Sequence, residues 1–411
     1  MKIQLVGISS PVPADEDSEF QKKYRSIQNI LQFTSLDELQ TQQDALKCFT
    51  QNFARICYSN KGWDDLVKED YKSDLINKQI LPSKHHSVFE HIWLNLYIED
   101  IPKIAAMILN NEKQYVTSEK SARYTQMKDI DSEQLKLYNK WMDILIPEID
   151  KIYPAVNDKE IAVKKLAQEN ARYMTSIFTP TKMAYTANLR QINFLLNVIS
   201  QSQPFFLVYK GPDDLELSIN IQNSLDDFYY KLSPFLIDGL ESKSCKKLSL
   251  FNSRQVKEYF GDVYSTSYLM SFAGLAQAQR HRTINYHISD GLNIGAPYGF
   301  YVPEIVNQSG NKKEWISDLE KIALNDIPQA QLVKVNESGT IEAFELKTTE
   351  RICGKAQYEI MKNTVQTAEK YKQYKKEKGV EFYNRSKCLE NPRDCNDACV
   401  WGPKKATSRI V

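Results

Sequence analysis

The sequence predicts an α+β fold, each domain a mixed or antiparallel sheet flanked by helices, and three observations point to it. Strand-period segments and amphipathic helices follow one another irregularly along the 411 residues, without the strand–helix alternation of a parallel α/β sheet. Turn-forming residues between apolar runs read as hairpins. Hydrophobic residues make up 42% of the chain and charged residues 26%, enough for two or three ordinary domains with real cores.

Taken in order, Met1–Ile8 is apolar but short and lacks a small-residue cleavage site, so it reads as a first strand. Helical patterns follow around Asp17–Thr34 and Gln40–Ile56. In Ile92–Glu99, Leu94, Leu96 and Ile98 alternate with Trp93, Asn95 and Tyr97, the period of two that marks a strand. Pro102 then opens a helix through Ile108, a favoured place for proline. Ser132–Ile149 and Asp158–Met174 are amphipathic helices, the second with a capping sequence at its start. Met183–Asn188 reads as strand and Leu189–Ser200 as helix. Gln201-Ser202-Gln203-Pro204 reads as a linker, giving an N-terminal domain over 1–201 and a C-terminal domain over 202–411. Phe205–Lys210 reads as a new strand, and Ser265–Arg280 as a helix rich in small residues. Asn336-Glu337-Ser338-Gly339 predicts a hairpin between Gln331–Val335 and Thr340–Leu346, and a long helix runs from Thr348 towards Lys378.

The net charge of +1 points to neither nucleic acid nor membrane. No apolar run approaches the roughly 18 residues of a membrane span, so a cytoplasmic location is expected. Seven cysteines, an odd number, do not make a disulfide framework. Cys353, Cys388, Cys395 and Cys399 could supply four thiolates to a zinc ion, though no Cys-x-x-Cys knuckle is present and a tail of free thiols explains them equally. All five histidines lie in two segments, His85–His91 and His281–His287, which suggests sites.

Gln277-Ala278-Gln279-Arg280-His281-Arg282 ends the small-residue helix. Arginine forks match phosphate oxygens and uracil-type carbonyls; read alone, the segment is as well explained by a solvated cationic helix end. It resembles the start of the signature of flavin-dependent thymidylate synthases, Arg-His-Arg, two residues, Ser, one residue, Asn-Glu, one residue, Ser, one residue, Arg-Tyr. Here Asn285, His287, Ile288, Leu292 and Asn293 depart from its remainder. The first half of the chain has that remainder: Glu119-Lys120-Ser121-Ala122-Arg123-Tyr124 matches the end, while Asn111-Glu112-Lys113 stands where Arg-His-Arg belongs. His86–His91 and Arg55–Ser59 resemble earlier family segments, and Ala171-Arg172, Thr181 and Asn188-Leu189-Arg190 a later one. The tail of that later stretch is found only in the second half, as Arg351 and Ala356-Gln357-Tyr358-Glu359-Ile360. The chain thus resembles two fused, diverged copies of the family domain with complementary losses.

The resemblance implies methylation of dUMP to dTMP with FAD, NADPH and methylene tetrahydrofolate, at one composite site between the copies. Arg280 and Arg123 would grip the nucleotide, Glu119, Ser121 and Gln277 orient it, and Arg172 stabilise charge developing on the ring. Arg351 would serve substrate and flavin. His91, His281, Arg280, Arg282, Asn188 and Arg190 would hold FAD, which carries the redox chemistry. It also implies a homodimer standing for the family's tetramer. Two alternatives stay open: a related pyrimidine-nucleotide methylase or hydroxymethylase, and a catalytically silent flavin- or nucleotide-binding homologue. For Asn188 and Glu119 taken singly, a capped helix or an ion pair explains the residue without any ligand.

Overall fold

Leu94, Leu96 and Ile98 are fully buried while Asn95 on the same strand is exposed, and this alternation lays a sheet against helices. A computed structural model describes residues 1–9, 26–32, 34–66, 68, 74–125, 130–153, 159–201, 212–240, 248–251, 256–289, 296–377, 386 and 411. The linker at 202–204 and the strand expected at 205–210 lie outside these residues, as does most of the helix expected at 17–34, of which Ser26–Gln32 is a 3-10 turn.

The N-terminal half runs β1 (Lys2–Ile8), α1 (Leu36–Ile56), β2 (Trp93–Pro102), α2 (Lys103–Leu109), β3 (Tyr115–Glu119), α3 (Ser132–Ile152), α4 (Lys159–Ala171), β4 (Pro180–Asn188) and α5 (Leu189–Gln201). The C-terminal half runs α6 (Pro212–Leu232), β5 (Tyr259–Phe260), β6 (Val263–Ser271), α7 (Phe272–Ala278), β7 (Asn285–Ile288), α8 (Lys312–Ala323), β8 (Leu332–Thr340), α9 (Ile341–Arg351) and α10 (Tyr358–Glu377). Each half builds a four-stranded antiparallel sheet, in the orders β1-β2-β4-β3 and β5-β6-β8-β7.

The two orders are the same, and the register agrees over β3–β4 against β7–β8 and at the Ile101 end of β2–β4; past the irregularity between Ile98 and Ile101 the β2–β4 pairing runs one residue off that of β6–β8. With the helix starts Lys103 and Phe272 aligned, and the strand starts Pro180 and Leu332 aligned, the pair Glu119↔Met183 falls on Ile288↔Val335 and the pair Ile101↔Thr181 falls on Met270↔Val333. The halves meet where Ser176 forms an antiparallel bridge with Pro328. Around it Ile177 N donates to Ile327 O at 2.9 Å and Gln329 N to Thr175 O at 2.7 Å. In the same alignment Ser176 and Pro328 are counterparts, so the chain pairs with itself about an internal two-fold. One apolar cluster runs through both sheets, from Ile104, Ile108 and Leu196 to Met270, Leu275 and Val335.

Three expectations are corrected. Ser265–Arg280 is a strand to Ser271 and only then a helix. Buried Tyr264 and Thr266 carry a period of two that the intervening serines mask, and the Ser271 hydroxyl caps α7 by accepting from Gly274 N at 2.9 Å. The hairpin at 336–339 is instead the middle of β8, which pairs with β6 on one side and β7 on the other. Its Glu337 is held in the core by the Tyr264 hydroxyl at 2.5 Å, the Tyr268 hydroxyl and Lys347 Nζ at 2.6 Å, partners that outweigh local turn preference. Finally, the helix expected from Thr348 breaks between Arg351 and Tyr358, and the break delivers Arg351 and Gln357 to the site described next.

Candidate active site

β3 ends at Glu119, and the turn after it carries Ser121 and Arg123. The 3-10 turn Arg172–Met174 follows α4. From the other half, α7 ends with Gln277 and its following turn carries Arg280, while α9 ends at Arg351. These seven side chains, all singled out from the sequence, line one cavity of about 440 Å³, together with Lys103, Lys120, Thr179 and Gln329 among others.

Its electrostatics are lopsided. Lys103, Lys120, Arg123, Arg172, Arg280 and Arg351 surround the single carboxylate of Glu119. Glu119 is buried, ion-paired to Lys103 and 3.6 Å from the Arg280 guanidinium. Arg123 is clamped by Glu169 at 2.5 Å and by Lys355 O at 2.8 Å. Burial pulls the Lys103 ammonium below its ordinary range despite Glu119 beside it, and pulls Arg172 down too. Three buried polar atoms on the lining have no hydrogen-bond partner among the described residues: Arg172 Nε, Thr179 Oγ1 and Gln277 Oε1. Unmet groups of this kind each cost about 1–3 kcal/mol. An anionic ligand carrying both donors and acceptors satisfies the whole set.

Behind the cavity, the His281 ring accepts from Arg351 Nε at 2.5 Å. Burial, then the charges of Arg351 and Lys347, push the His281 pKa down to about 2. The ring is therefore neutral and acts as an acceptor that fixes Arg351. Arg282 is exposed and donates to Tyr115 O at 2.8 Å. The other residues assigned to FAD do not line the cavity. Exposed His91 stacks on Phe53 with ring centroids 4.2 Å apart. Asn188 caps α5 by accepting from Gln191 N at 2.8 Å, and Arg190 pairs with Glu90 at 2.5 Å. Cys353 is half-buried, and Cys388, Cys395 and Cys399 lie outside the described residues. Among the described residues no group of three His, Cys, Asp or Glu could hold a metal ion.

The two-fold generates a second place for such a cavity, and there the chain differs. Asn111, Glu112 and Lys113 replace Arg280, His281 and Arg282. Lys113 Nζ donates to Ile284 O at 2.8 Å, the counterpart of the Arg282–Tyr115 bond. The backbone of Leu248–Phe251 packs in: Ser249 N donates to Glu112, Asn111 Nδ2 donates to Ser249 Oγ at 2.6 Å, and Ile288 N donates to Leu250 O at 2.7 Å.

Residues 40–204 match the family described as Thymidylate synthase complementing protein. That match covers 165 of the chain's 411 residues. The chain is similar to thymidylate synthase X (ThyX) of Helicobacter pylori, solved with FAD and dUMP, at 18% identity over 57% of this chain and 99% of that one, with a TM-score of 0.29. It also resembles PolB of Streptomyces cacaoi, a UMP/dUMP methylase bound with 5-Br dUMP, at 14% identity over 59% of this chain and 97% of that one, with a TM-score of 0.30. Scores this low carry no argument about function. No protein of curated function matches the sequence. Among the described residues no helix is long and apolar enough to cross a membrane.

Sequence reading missed Lys103, Thr179 and Gln329. Lys103 had a signal: it is the one cation in Lys103-Ile-Ala-Ala-Met-Ile-Leu109, whose other six residues are buried. Thr179 and Gln329 carry no motif and arrive through the two-fold joint.

Proposed function

We propose that this chain is an enzyme that methylates dUMP at the cavity shared by its two halves, with FAD bound, NADPH as reductant and methylene tetrahydrofolate as carbon source. The observation that carries the reading is the convergence of Glu119, Ser121, Arg123 and Arg172 with Gln277, Arg280 and Arg351 on one lining. Each half contributes the part of the family pattern that the other lacks. The common strand order, and the shared register of the β3–β4 and β7–β8 pairs, support reading 1–201 and 202–411 as two diverged copies of one domain.

The nucleotide's phosphate pairs with the guanidinium groups at the mouth, where Arg280 keeps about a third of its side chain exposed (32%). Arg172 Nε and Gln277 Oε1, unmet by protein, hydrogen-bond the uracil edge. The Arg172 charge then stabilises the negative charge that develops on the ring. Lys103 orients Glu119 through their ion pair, and Glu119 in turn holds Arg280. For the flavin, Arg280 and Arg351 are the assigned residues that line the cavity, and their guanidinium groups are the donors that would meet a dinucleotide's phosphates there. When bound, FAD supplies the hydride chemistry that side chains cannot.

The test starts with the visible spectrum of the purified protein, then follows NADPH oxidation with and without dUMP. Flavin bands, dUMP-stimulated oxidation and one nucleotide bound per chain are expected. Failure to take up flavin from excess FAD sinks the cofactor assignment. A product heavier than thymidylate by one oxygen turns the assignment to a hydroxymethylase.

A further inference from the structure

Glu359 begins in the first turn of α10 and ends fully enclosed between the halves, with four hydrogen bonds around its carboxylate. Oε1 accepts from Ser271 N at 2.7 Å. Oε2 accepts from the Ser271 hydroxyl at 2.7 Å, the Tyr173 hydroxyl at 2.8 Å and Gln357 Nε2 at 3.3 Å. Gln357 Nε2 also donates to the Tyr173 oxygen, and Gln357 Oε1 accepts from Arg172 at 2.6 Å. Two branches therefore leave this carboxylate. One runs through Gln357 to the Arg172 guanidinium on the cavity wall. The other runs through Ser271, whose hydroxyl caps α7 at Gly274 N, to the helix that carries Gln277 and Arg280.

Packing fixes the carboxylate as firmly as its hydrogen bonds do. A Cβ at Gly274 would stand 2.6 Å from Glu359 Oε2 and 2.8 Å from Met270 Cγ, closer than atoms approach, so only glycine admits the carboxylate at the first turn of α7. Breaking one partner of such an enclosed network strands the others.

We propose that Glu359 is a positioning residue that sets the spacing between Arg172, from the N-terminal half, and the Gln277–Arg280 end of α7, from the C-terminal half. It touches no ligand. Arg172 is tied to it by hydrogen bonds through Gln357 and through the neighbouring Tyr173, and Arg280 through the cap of α7. The inference rests on the nucleotide reading of the cavity and deepens it: the two walls that grip the ring and the phosphate are referenced to one buried group. A displacement of about 1 Å in such a site costs about a hundredfold in rate.

The experiment compares Gln357→Ala, which cuts the Arg172 branch alone, with Glu359→Gln, which trades an acceptor oxygen for a donor and disturbs both. Each is measured in the flavin-loaded full chain by melting temperature, dUMP titration calorimetry and steady-state kinetics. Gln357→Ala lowers kcat about tenfold or more with KM for dUMP within twofold. Glu359→Gln lowers kcat similarly and also raises KM and Kd at least fivefold. A purely structural role predicts lower melting temperatures without this split. Should Glu359→Gln fail to fold, Gly274→Ala, which pushes the same oxygen from the opposite side, must reproduce its KM rise. Folded variants with unchanged kcat and KM overturn the inference alone. A wild-type protein that neither binds dUMP nor turns it over overturns the nucleotide reading as well.

Discussion

The two turns that follow α2 and α7 occupy matching places and have opposite characters. Arg280 faces an open, cationic cavity whose lining leaves polar atoms unmet. Asn111, its counterpart, is spent on Ser249 and the Tyr286 carbonyl at 2.9 Å. One turn keeps its donors for a ligand and the other uses them to knit the chain together. The difference teaches that a two-fold scaffold does not require two-fold chemistry: the strand order survives on both sides while the side chains diverge.

The largest expected effect breaks this comparison directly. Arg280→Ala should lower dUMP-dependent turnover by about a hundredfold or more, as loss of one preorganised donor does. Lys113→Ala, across the two-fold from Arg282, should leave turnover within about twofold. Equal losses in steady-state assays would mean that the second place is also a working site.

The next contrast lies in the cores. Glu337 and Lys347 form a buried ion pair where the N-terminal half has buried Tyr185 and Leu195. Lys347→Met should cost about 3–5 kcal/mol by stranding the Glu337 charge, whereas the double change to Tyr and Leu should be near neutral. Urea denaturation of both variants decides it. Equal destabilisation would mean that the aligned positions are not equivalent in packing.

Acid–base behaviour sharpens the comparison further. Burial raises Glu112 from 4.5 to about 7, so the folded state holds its proton longer than the unfolded state. Stability should fall as pH climbs from about 4.5 to 7 and level off above, by up to about 3 kcal/mol. His281 is lowered from 6.5 to about 2, so the unfolded state takes up a proton first and stability is lost as pH falls below 6.5. Urea midpoints from pH 4.5 to 8 should show Glu112→Gln removing the first slope and His281→Asn the second. A slope unchanged by its variant would remove that residue as the cause.

The smallest effect tests sameness. Asn188 and Thr340 both cap the helix after the fourth strand of their half, at 2.8 Å to Gln191 N and 3.3 Å to Ala343 N. Asn188→Ala should cost about 1 kcal/mol and Thr340→Ala no more, again by urea midpoint. A much larger cost at Asn188 would show that it does more than cap.

Much of this was legible in the sequence. The Leu94–Ile98 alternation and the proline before Lys103 name their elements locally, and the arginine, glutamate and serine positions of the cavity are carried by the resemblance to the family signature. What was illegible depends on distant partners. Asn336-Glu337-Ser338-Gly339 looks like a turn until Lys347, Tyr264 and Tyr268 converge on Glu337. The strand at 263–271 is hidden because its exposed positions are the apolar Val263 and Leu269, while its buried face includes tyrosine and threonine. Lys103 and Thr179 join the site only because folding brings β3 and the joint beside them.

The antiparallel joint at Ser176 and Pro328 has a kinetic consequence. Both walls of the cavity belong to one covalent chain, so their encounter is intramolecular, with an effective concentration set by the chain that connects them. Dilution, which takes apart a site assembled from separate subunits, leaves this one closed.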